Sequence, residues 1–264
     1  MTNSTKTIKI LVATHKQYDM PQNAPYLPIQ VGAFAKPNLG YLRDDGGDNI
    51  SAKNFCFCEL TALYYGWKNL QTDVLGLVHY RRYFAGKLPF WCNGKKFKIL
   101  DDNAALKYLQ KADIILPKKR RYVIETLYSH YKHTMYEEPL VVTGQIIKET
   151  YPNYYAEFQR LKTRRNAHMF NMLVAKQQVL DGYCKWLFDV LQQLETRVEV
   201  LKYDDFHRRF CGRISELLLD VYVNVNKLKF VEVKVVNTEK QRLGKRIRRF
   251  LRAKFKGEKY DASF

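Results

Sequence analysis

The residues best suited to chemistry in this sequence follow one short apolar stretch. Residues 74–78 are apolar, with Gly76 in the middle. Four polar or aromatic residues come next: His79, Tyr80, Arg81 and Arg82. Because guanidinium groups bind phosphate or carboxylate oxygens through paired hydrogen bonds, this set predicts a site for an anionic ligand. Alternatively, these residues form a basic turn exposed to solvent. The aromatic residues between the basic ones favour the anion-binding site over such a turn.

The elements around this set predict where it lies in the fold. An apolar run of this length is typical of a strand buried on both faces of a mostly parallel sheet. Its end then lies at the carboxyl edge of the sheet, where open α/β sheets bind ligands. Residues 7–13 predict an earlier strand, and Ser51 predicts the N-cap of a helix over 52–70. The order strand, loop, helix, strand indicates a parallel α/β half.

The rest of the chain continues the alternation of helices and strands. Four prolines predict an extended surface loop over 20–37, and 40–51 is a dense turn rich in side-chain acceptors. The remaining predicted elements are a helix at 103–111, a strand at 112–117, helices within 122–161, a strand at 167–175, a helix at 177–194, a turn around Gly212 followed by a helix, and an edge strand at 228–236. We therefore predict an α/β fold with a mostly parallel central sheet flanked by helices.

Composition limits the classes of partner. The 264 residues are 46% hydrophobic and 14% aromatic, as expected of a folded protein, and the net charge of +19 favours phosphate-bearing partners. The five cysteines form no zinc-binding spacing and predict reduced thiols. The polar start of the chain and the lack of a long apolar run predict a cytoplasmic protein. No GxGxxG or GxxxxGK[ST] motif is present.

The tail, residues 237–264, is predicted to be a separate module. Apolar residues fall on one helical face: Leu243, Ile247, Phe250, Leu251 and Phe255. Ten basic residues occupy 240–259: Lys240, Arg242, Lys245, Arg246, Arg248, Arg249, Arg252, Lys254, Lys256 and Lys259. A basic amphipathic helix of this kind favours binding to an anionic membrane surface, ahead of a solvated helix or a nucleic-acid arm.

A sugar nucleotide is the anionic ligand that we weigh first. Breaking its glycosidic bond leaves growing negative charge on the diphosphate, which enzymes stabilise with a divalent metal or with Arg and Lys donors. The paired arginines after residue 78 favour the metal-free solution, so we expect no metal site and no cofactor. The pairs Asp44–Asp45 and Asp101–Asp102 remain alternatives for holding a metal.

His130 and His133 are spaced three apart on a predicted helix. This spacing suits a metal, but no third ligand lies nearby in the sequence, so surface or acceptor-contact roles are favoured. We expect acceptor contacts from these two residues and from His168 and Asn171 in the predicted strand at 167–175.

Seven segments together resemble a bacterial capsular and exopolysaccharide glycosyltransferase family long catalogued only as a domain of unknown function. They are residues 10–16 (ILVATHK), 28–32 (PIQVG), 40–51 (GYLRDDGGDNIS), 76–84 (GLVHYRRYF), 113–119 (DIILPKK), 183–188 (YCKWLF) and 212–216 (GRISE). The resemblance covers most of residues 8–222. It implies a GT-A-like fold, a UDP-sugar donor and transfer of galactofuranose or galactose onto a lipid-linked surface glycan.

The resemblance also assigns roles to individual residues. His79, Arg81 and Arg82, with Tyr80 between them, would hold the diphosphate. The nucleoside would be contacted by Ala13, Thr14, His15, Lys16, Asp45, Asn49, Ser51 and Asn54.

An inverting transferase needs a carboxylate base to take the acceptor proton. Glu216 is the preferred candidate, ahead of Asp204 and Asp205. Alternatively, Glu216 is an ordinary acid that stabilises the start of a helix. Arg213 and Leu217 depart from the family pattern, as does Met135, so the acceptor is the part that transfers least.

These expectations combine into one hypothesis and two rivals. We predict a catalytic domain over 1–236, with a nucleotide half at 1–117 and an acceptor half at 118–236. Its partners would be a UDP-sugar, an undecaprenyl-diphosphate-linked glycan and, through Lys240 to Lys259, the inner face of the plasma membrane; nucleic acid is not expected. The rivals are a nucleic-acid-binding protein, suggested by the charge, and a capsule-assembly partner that has lost its chemistry.

Overall fold

A computed structural model describes residues 6–239, which fall into two compact units. Of the described residues, the first unit comprises 6–118, 170–185 and 228–238, and the second comprises 119–169, 186–227 and 239. Residues 170–185 and 228–238 thus cluster with the first unit although they follow residue 118 in the chain.

Twelve strands and eight α-helices are found within residues 6–239. The strands are β1 (Ile8–Thr14), β2 (Tyr26–Gln30), β3 (Leu42–Arg43), β4 (Val74–His79), β5 (Arg82–Cys92), β6 (Lys95–Ile99), β7 (Ile114–Pro117), β8 (Arg120–Arg121), β9 (Asn166–Ala167), β10 (Leu173–Lys176), β11 (Phe230–Val233) and β12 (Val235–Asn237). The helices are α1 (Asn54–Phe57), α2 (Leu60–Asn69), α3 (Asp102–Lys111), α4 (Leu127–Thr134), α5 (Glu138–Thr150), α6 (Pro152–Gln159), α7 (Gln177–Arg197) and α8 (Phe210–Val225).

The first unit is built on one mixed sheet in the order β11-β7-β10-β4-β1-β2-β3, with β5, β6 and β12 attached beyond β4. Strands β4, β1, β2 and β3 pair in parallel, as do β7 and β11. Strand β10 is antiparallel to both of its neighbours, β4 and β7. The predicted α/β class with a mostly parallel sheet is confirmed.

Strand β4 lies in the middle of this sheet because its residues can be buried on both faces. Residues 74–78 are all buried. Gly76 is required where β10 crosses closest, because a Cβ there would lie 2.8 Å from Val174 Cγ2 and 3.0 Å from the Leu173 carbonyl oxygen. On the other side β4 pairs with β1, whose residues Ile10 to Ala13 are equally buried. The strand predicted from the apolar run is therefore confirmed.

The second unit is mainly helical. It contains α4, α5, α6, α8 and the later residues of α7, together with the short antiparallel pair β8–β9. Three aromatic rings join its helices: the ring of Trp186 is stacked on that of Tyr154 at 4.8 Å and is tilted against that of Tyr222 at 5.4 Å. The helices predicted within 122–161 and at 177–194 are confirmed, as is the helix at 103–111.

Several predicted elements are wrong in detail. The helix expected at 52–70 is broken at Cys58, whose φ of 54° stops α1, and Ser51 begins a 3₁₀ turn without capping a helix. The expected surface loop at 20–37 contains β2, which pairs along β1. Gly212 lies inside α8, where we expected a turn.

The late part of the sheet also differs from expectation. The strand expected at 167–175 is divided into β9 and β10, because Phe170 and Asn171 have φ values of 81° and 51°. The strand expected at 228–236 forms as β11 and β12, with β11 at the edge of the sheet. The hairpin of β5 and β6 was not predicted. The predicted tail helix at 240–259 lies outside the described residues.

None of the helices within residues 6–239 is long and apolar enough to cross a membrane.

Candidate active site

Three parallel strands of the first unit end at the same edge of the sheet. The ends of β2 and β4 lie on either side of β1: the Val31 amide donates to the Thr14 carbonyl (2.8 Å) and the Tyr80 amide to the Ala13 carbonyl (3.1 Å). Thr14 turns the chain after β1, since its hydroxyl donates to the Lys16 carbonyl at 2.7 Å. The residues predicted to bind the nucleoside after β1 and the diphosphate after β4 therefore meet at one edge.

A cationic and aromatic cluster occupies this edge. The ring of Tyr80, buried at 7% exposure, packs edge-on against those of His15 (5.5 Å) and Tyr18 (4.8 Å). The Lys16 ammonium lies 5.0 Å from the Tyr80 ring centroid and the Arg81 guanidinium 5.7 Å from it. Two cations thus share one ring, whose negative face holds them together in spite of their repulsion. This concentration of positive charge attracts an anion.

His79, at the end of β4, is bound to a turn that β10 follows. Its Nε2 lies 2.6 Å from the Phe170 carbonyl oxygen and 3.8 Å from Glu59 Oε1. Burial lowers the pKa of His79; Arg82 and Arg81 lower it further, and Glu59 opposes them. The neutral imidazole then donates from Nε2 to Phe170 and keeps a lone pair on Nδ1.

The same turn supports Arg82 and Asn171. The Arg82 guanidinium lies 4.6 Å from the centroid of the Phe170 ring. Asn171 donates from Nδ2 to Glu59 Oε1 at 2.7 Å, and both Phe170 and Asn171 have positive φ. This turn has an unfavourable backbone conformation and is held by contacts from His79, Glu59 and Arg82. Asn171 is buried, and its side-chain amide binds Glu59.

The loop after β3 is organised around Asp44, a fully buried carboxylate. Asp44 accepts hydrogen bonds from the amides of Gly32 (2.8 Å) and Ala33 (2.9 Å) and from the Ser51 hydroxyl (2.5 Å). The Ser51 hydroxyl also accepts from the Phe34 amide. This network joins the loop to the end of β2 and so places the loop at the same edge of the sheet.

The other residues predicted to contact the nucleoside in this part of the chain also bind nearby backbone or side chains. Asn49 donates to the carbonyls of Asp45 and Gly47, and Asn54 donates to the Cys58 carbonyl at 2.7 Å. Asp45 pairs with Arg43, whose hydrogen bond lowers the pKa of that carboxyl group. Several polar atoms of the predicted nucleoside residues therefore already bind the protein.

The predicted metal alternatives have other roles. Asp101 caps α3 by accepting from the Ala104 amide, and Asp44 is occupied as described. Within residues 6–239 no group of three or more His, Cys, Asp or Glu side chains is arranged to hold a metal ion.

In the second unit, Glu125 joins the two histidines of α4. Its carboxylate, 4% exposed, lies 3.2 Å from His130 Nδ1 and 2.5 Å from His133 Nδ1. Burial raises the pKa of Glu125, but hydrogen bonds from both histidines outweigh this and the net shift is downward. Burial lowers the pKa of His130, Glu125 opposes it, and Arg120 and Arg213 add to the lowering. Because an ionised carboxylate can only accept hydrogen bonds, each histidine donates to Glu125 from Nδ1. The Nε2 atom of each ring then lies on the side away from Glu125.

Glu216 lies in the middle of α8 and is not an acid at a helix start. It is 7% exposed, and its Oε1 lies 3.6 Å from Arg213 Nη1 one turn earlier. One turn later, Asp220 accepts from the amide of His168 and lies 2.5 Å from His168 Nδ1. His168 is fully buried. Face-sharing acids on α8 are thus held by an arginine and a histidine.

Asp204 and Asp205 lie before α8. Asp204 accepts from the amides of Phe206 and His207 and from His207 Nδ1 at 2.6 Å. Asp205 is highly exposed and pairs with Arg208 at 3.0 Å.

Sequence reasoning missed three carboxylates, Glu59, Glu125 and Asp220, and it considered Asp44 only as a metal ligand, not as the acceptor that braces the loop. Glu59 and Asp220 bind residues that are far away in the chain, so no local spacing indicates them. Glu125 precedes α4, and its position five residues before His130 and eight before His133 was the available signal.

Residues 9–227 match the family model described as Domain of unknown function (DUF4422), so the chain belongs to that family. Among solved structures, the apo structure of the WbbM bifunctional glycosyltransferase is similar to this chain, with a TM-score of 0.79 and 26% sequence identity. The similarity covers 89% of this chain and 46% of the other, so the chain spans less than half the length of that protein. A search of the curated proteins finds no match.

Proposed function

We propose that this protein is a glycosyltransferase that takes its sugar from a UDP-sugar. The observation that carries the proposal is the similarity to the WbbM bifunctional glycosyltransferase along 89% of this chain. The cationic edge of the first unit supports it, because a nucleoside diphosphate carries the charge that this edge attracts.

The donor is assigned to the edge formed by the ends of β1, β2 and β4. Arg81, Arg82 and Lys16 neutralise the diphosphate, and the loop braced by Asp44 contacts the nucleoside. His79 acts here through its neutral imidazole, which holds the Phe170 turn and so orients Arg82. With three cations at the phosphates, charge stabilisation does not require a metal, and no other cofactor is needed.

The proposed reaction is inverting transfer. The acceptor hydroxyl oxygen attacks the anomeric carbon while the bond from that carbon to the β-phosphate oxygen breaks. The hydroxyl proton goes to Glu216, and the electron pair of the broken bond leaves on UDP. Glu216 is suited to this role because it is buried and kept in place by Arg213, while exposed Asp205 is the weaker candidate. The base assignment rests on the family resemblance.

The finer identity of the substrates also rests on that resemblance. Galactofuranose or galactose is the favoured sugar, and an undecaprenyl-diphosphate-linked glycan in capsule or exopolysaccharide synthesis is the favoured acceptor. His130 and His133 are proposed to contact its hydroxyl groups, since their Nε2 atoms lie opposite the side that Glu125 holds. Such an acceptor requires the protein to work at the inner face of the plasma membrane, with residues 240–259 bound to anionic lipid.

A screen of UDP-sugars tests the proposal. Purified protein is incubated with each UDP-sugar, with and without a lipid-linked acceptor, and released UDP is measured. We expect acceptor-dependent release with one sugar, and stabilisation of the fold by UDP. Stabilisation by UDP without turnover of any donor would favour the non-catalytic rival. Salt-sensitive binding of single-stranded DNA or RNA without any effect of UDP would favour the nucleic-acid rival.

A further inference from the structure

The hairpin formed by β5 and β6 is a rigid element of the first unit. It is closed by Asn93 and Gly94, whose φ values of 48° and 70° fit a two-residue hairpin turn. The turn is tied down because the Asn93 amide donates to Asp19 Oδ2 (2.7 Å) and its side chain donates to the Tyr18 hydroxyl (2.9 Å). One face is in the hydrophobic core through Phe90, Cys92 and Ile99.

The opposite face of the hairpin, here called the outer face, points to solvent. Its exposed residues are Lys87, Pro89, Trp91, Lys96 and Lys98. Trp91 is 64% exposed and is paired across the strands with Lys96, while Pro89 is paired with Lys98. The Lys96 ammonium lies 5.9 Å from the centroid of the Trp91 ring. A large aromatic ring is therefore presented among cations on a fixed scaffold.

Among residues 6–239, no ion pair compensates the positive charge of this face. Residues 82–100 contain no Asp or Glu. Within residues 6–239, lysines of other elements pair with acids, as Lys176 does with Asp113 and Lys202 with Glu138. The lysines of the hairpin form no such pair in the described part of the chain. A cationic surface of this kind is complementary to an anionic one.

We propose that the outer face of the β5–β6 hairpin docks on an anionic phospholipid bilayer. Tryptophan rings prefer the interface between lipid and water, and lysines beside them bind anionic headgroups. Single-stranded nucleic acid fits less well, because such sites stack successive bases on several rings and this face has one.

The docking face is independent of the transferase chemistry, since a protein that failed to turn over any sugar would still bind through it. It also differs from the proposed binding surface at residues 240–259. Trp91 fluorescence reports on the hairpin alone, because residues 240–259 contain no tryptophan.

Trp91 provides the direct test. The full chain is mixed with phosphatidylcholine–phosphatidylglycerol vesicles, with and without brominated acyl chains, and tryptophan fluorescence is recorded. We expect brominated lipid to quench the wild-type protein and the quenching to be lost in Trp91→Phe, which keeps Trp67 and Trp186. Equal quenching in Trp91→Phe would overturn the proposal, as would vesicle binding without any quenching, which the tail alone would give.

A charge-matched comparison tests the lysines. Lys96→Gln/Lys98→Gln should weaken partitioning into these vesicles by roughly 30-fold at low salt. The control is Lys107→Gln/Lys111→Gln, which removes the same charge from exposed positions on α3. An equal loss in the control would show a general effect of net charge and would contradict a docking face. Loss of single-stranded DNA binding, with vesicle binding unchanged in the hairpin variant, would reassign the face to nucleic acid.

Discussion

The sheet edge of the first unit and the helix α8 of the second unit differ in the charge of their polar residues. Cations predominate at the sheet edge, and carboxylates predominate on the polar face of α8. At the sheet edge, Lys16, Arg81 and Arg82 lie among aromatic rings, and His79 is kept neutral by burial. Along α8 the carboxylates of Glu216 and Asp220 are buried, and each is held by a cationic or imidazole group.

Because of this difference, the two regions are suited to different ligands. A group of cations against aromatic rings stabilises an anion that binds there, whereas a buried carboxylate is suited to accept a proton or a hydroxyl hydrogen bond. These features support the proposal that the first unit binds the donor diphosphate and that the acids of the second unit act on a hydroxyl group.

The sharpest test of the acidic side is Glu216→Gln. We expect turnover of the UDP-sugar to fall roughly 10³-fold, because the amide cannot take the acceptor proton. UDP affinity should remain unchanged. The measurement is steady-state UDP release with acceptor, beside calorimetric binding of UDP. Turnover equal to wild type would show that Glu216 is not the base, and Asp205→Asn is the matched control that should retain activity.

The sharpest test of the cationic side is Arg82→Ala. Loss of the guanidinium group should lower kcat/KM roughly 10²-fold and should weaken UDP binding, because a proposed phosphate contact is removed. Arg82→Lys should restore part of the binding, since the charge remains but the paired hydrogen bonds and the stacking on Phe170 do not. A variant that loses turnover but binds UDP like wild type would place Arg82 outside the donor site.

The sequence predicted the parts of the fold in which local pattern and burial agree. β1, β4, α3 and α7 are of this kind. β2 was hidden because the four prolines of residues 20–37 indicated a loop. The break at Cys58 has no sequence signal, since a positive φ at a non-glycine residue is set by the surrounding contacts. The β5–β6 hairpin did have a signal, Asn93–Gly94 between alternating strands, that was not used.

Asp44 tests whether the loop is held as described. Asp44→Asn should lower the free energy of unfolding by about 2 kcal/mol, because the amide cannot accept from both backbone amides and the Ser51 hydroxyl as the carboxylate does. Chemical unfolding measures this change. Asp45→Asn is the control with a smaller expected effect, since the pair with Arg43 is partly exposed. Equal effects in the two variants would contradict the central role of Asp44.

The pH dependence of stability should reflect one partly buried histidine in each unit, His79 and His130. His79 and His130 have pKa values below the usual 6.5, so the unfolded chain binds protons before the folded chain does. Stability should then fall as pH drops below about 6.5, by up to about 1.4 kcal/mol per pH unit for each histidine. Urea unfolding between pH 7 and pH 5.5 measures the slope. His130→Gln should reduce it, and an unchanged slope would contradict the assignment.

The candidate site was predicted less completely than the fold. Motif residues at strand ends were brought together as expected, because parallel strands share an edge. The acids that bind other candidate residues were not predicted. Glu59 binds Asn171 and Asp220 binds His168, and these pairs are brought together only in the folded chain.

The central claim is that the sheet edge of the first unit binds a diphosphate without a metal. Calorimetric titration of the protein with UDP and with uridine, both in EDTA, tests it most directly. We predict clear binding of UDP, much weaker binding of uridine, and loss of this difference in Arg81→Ala/Arg82→Ala. Equal binding of UDP and uridine, or UDP binding that appears only when Mn²⁺ is restored, would contradict it.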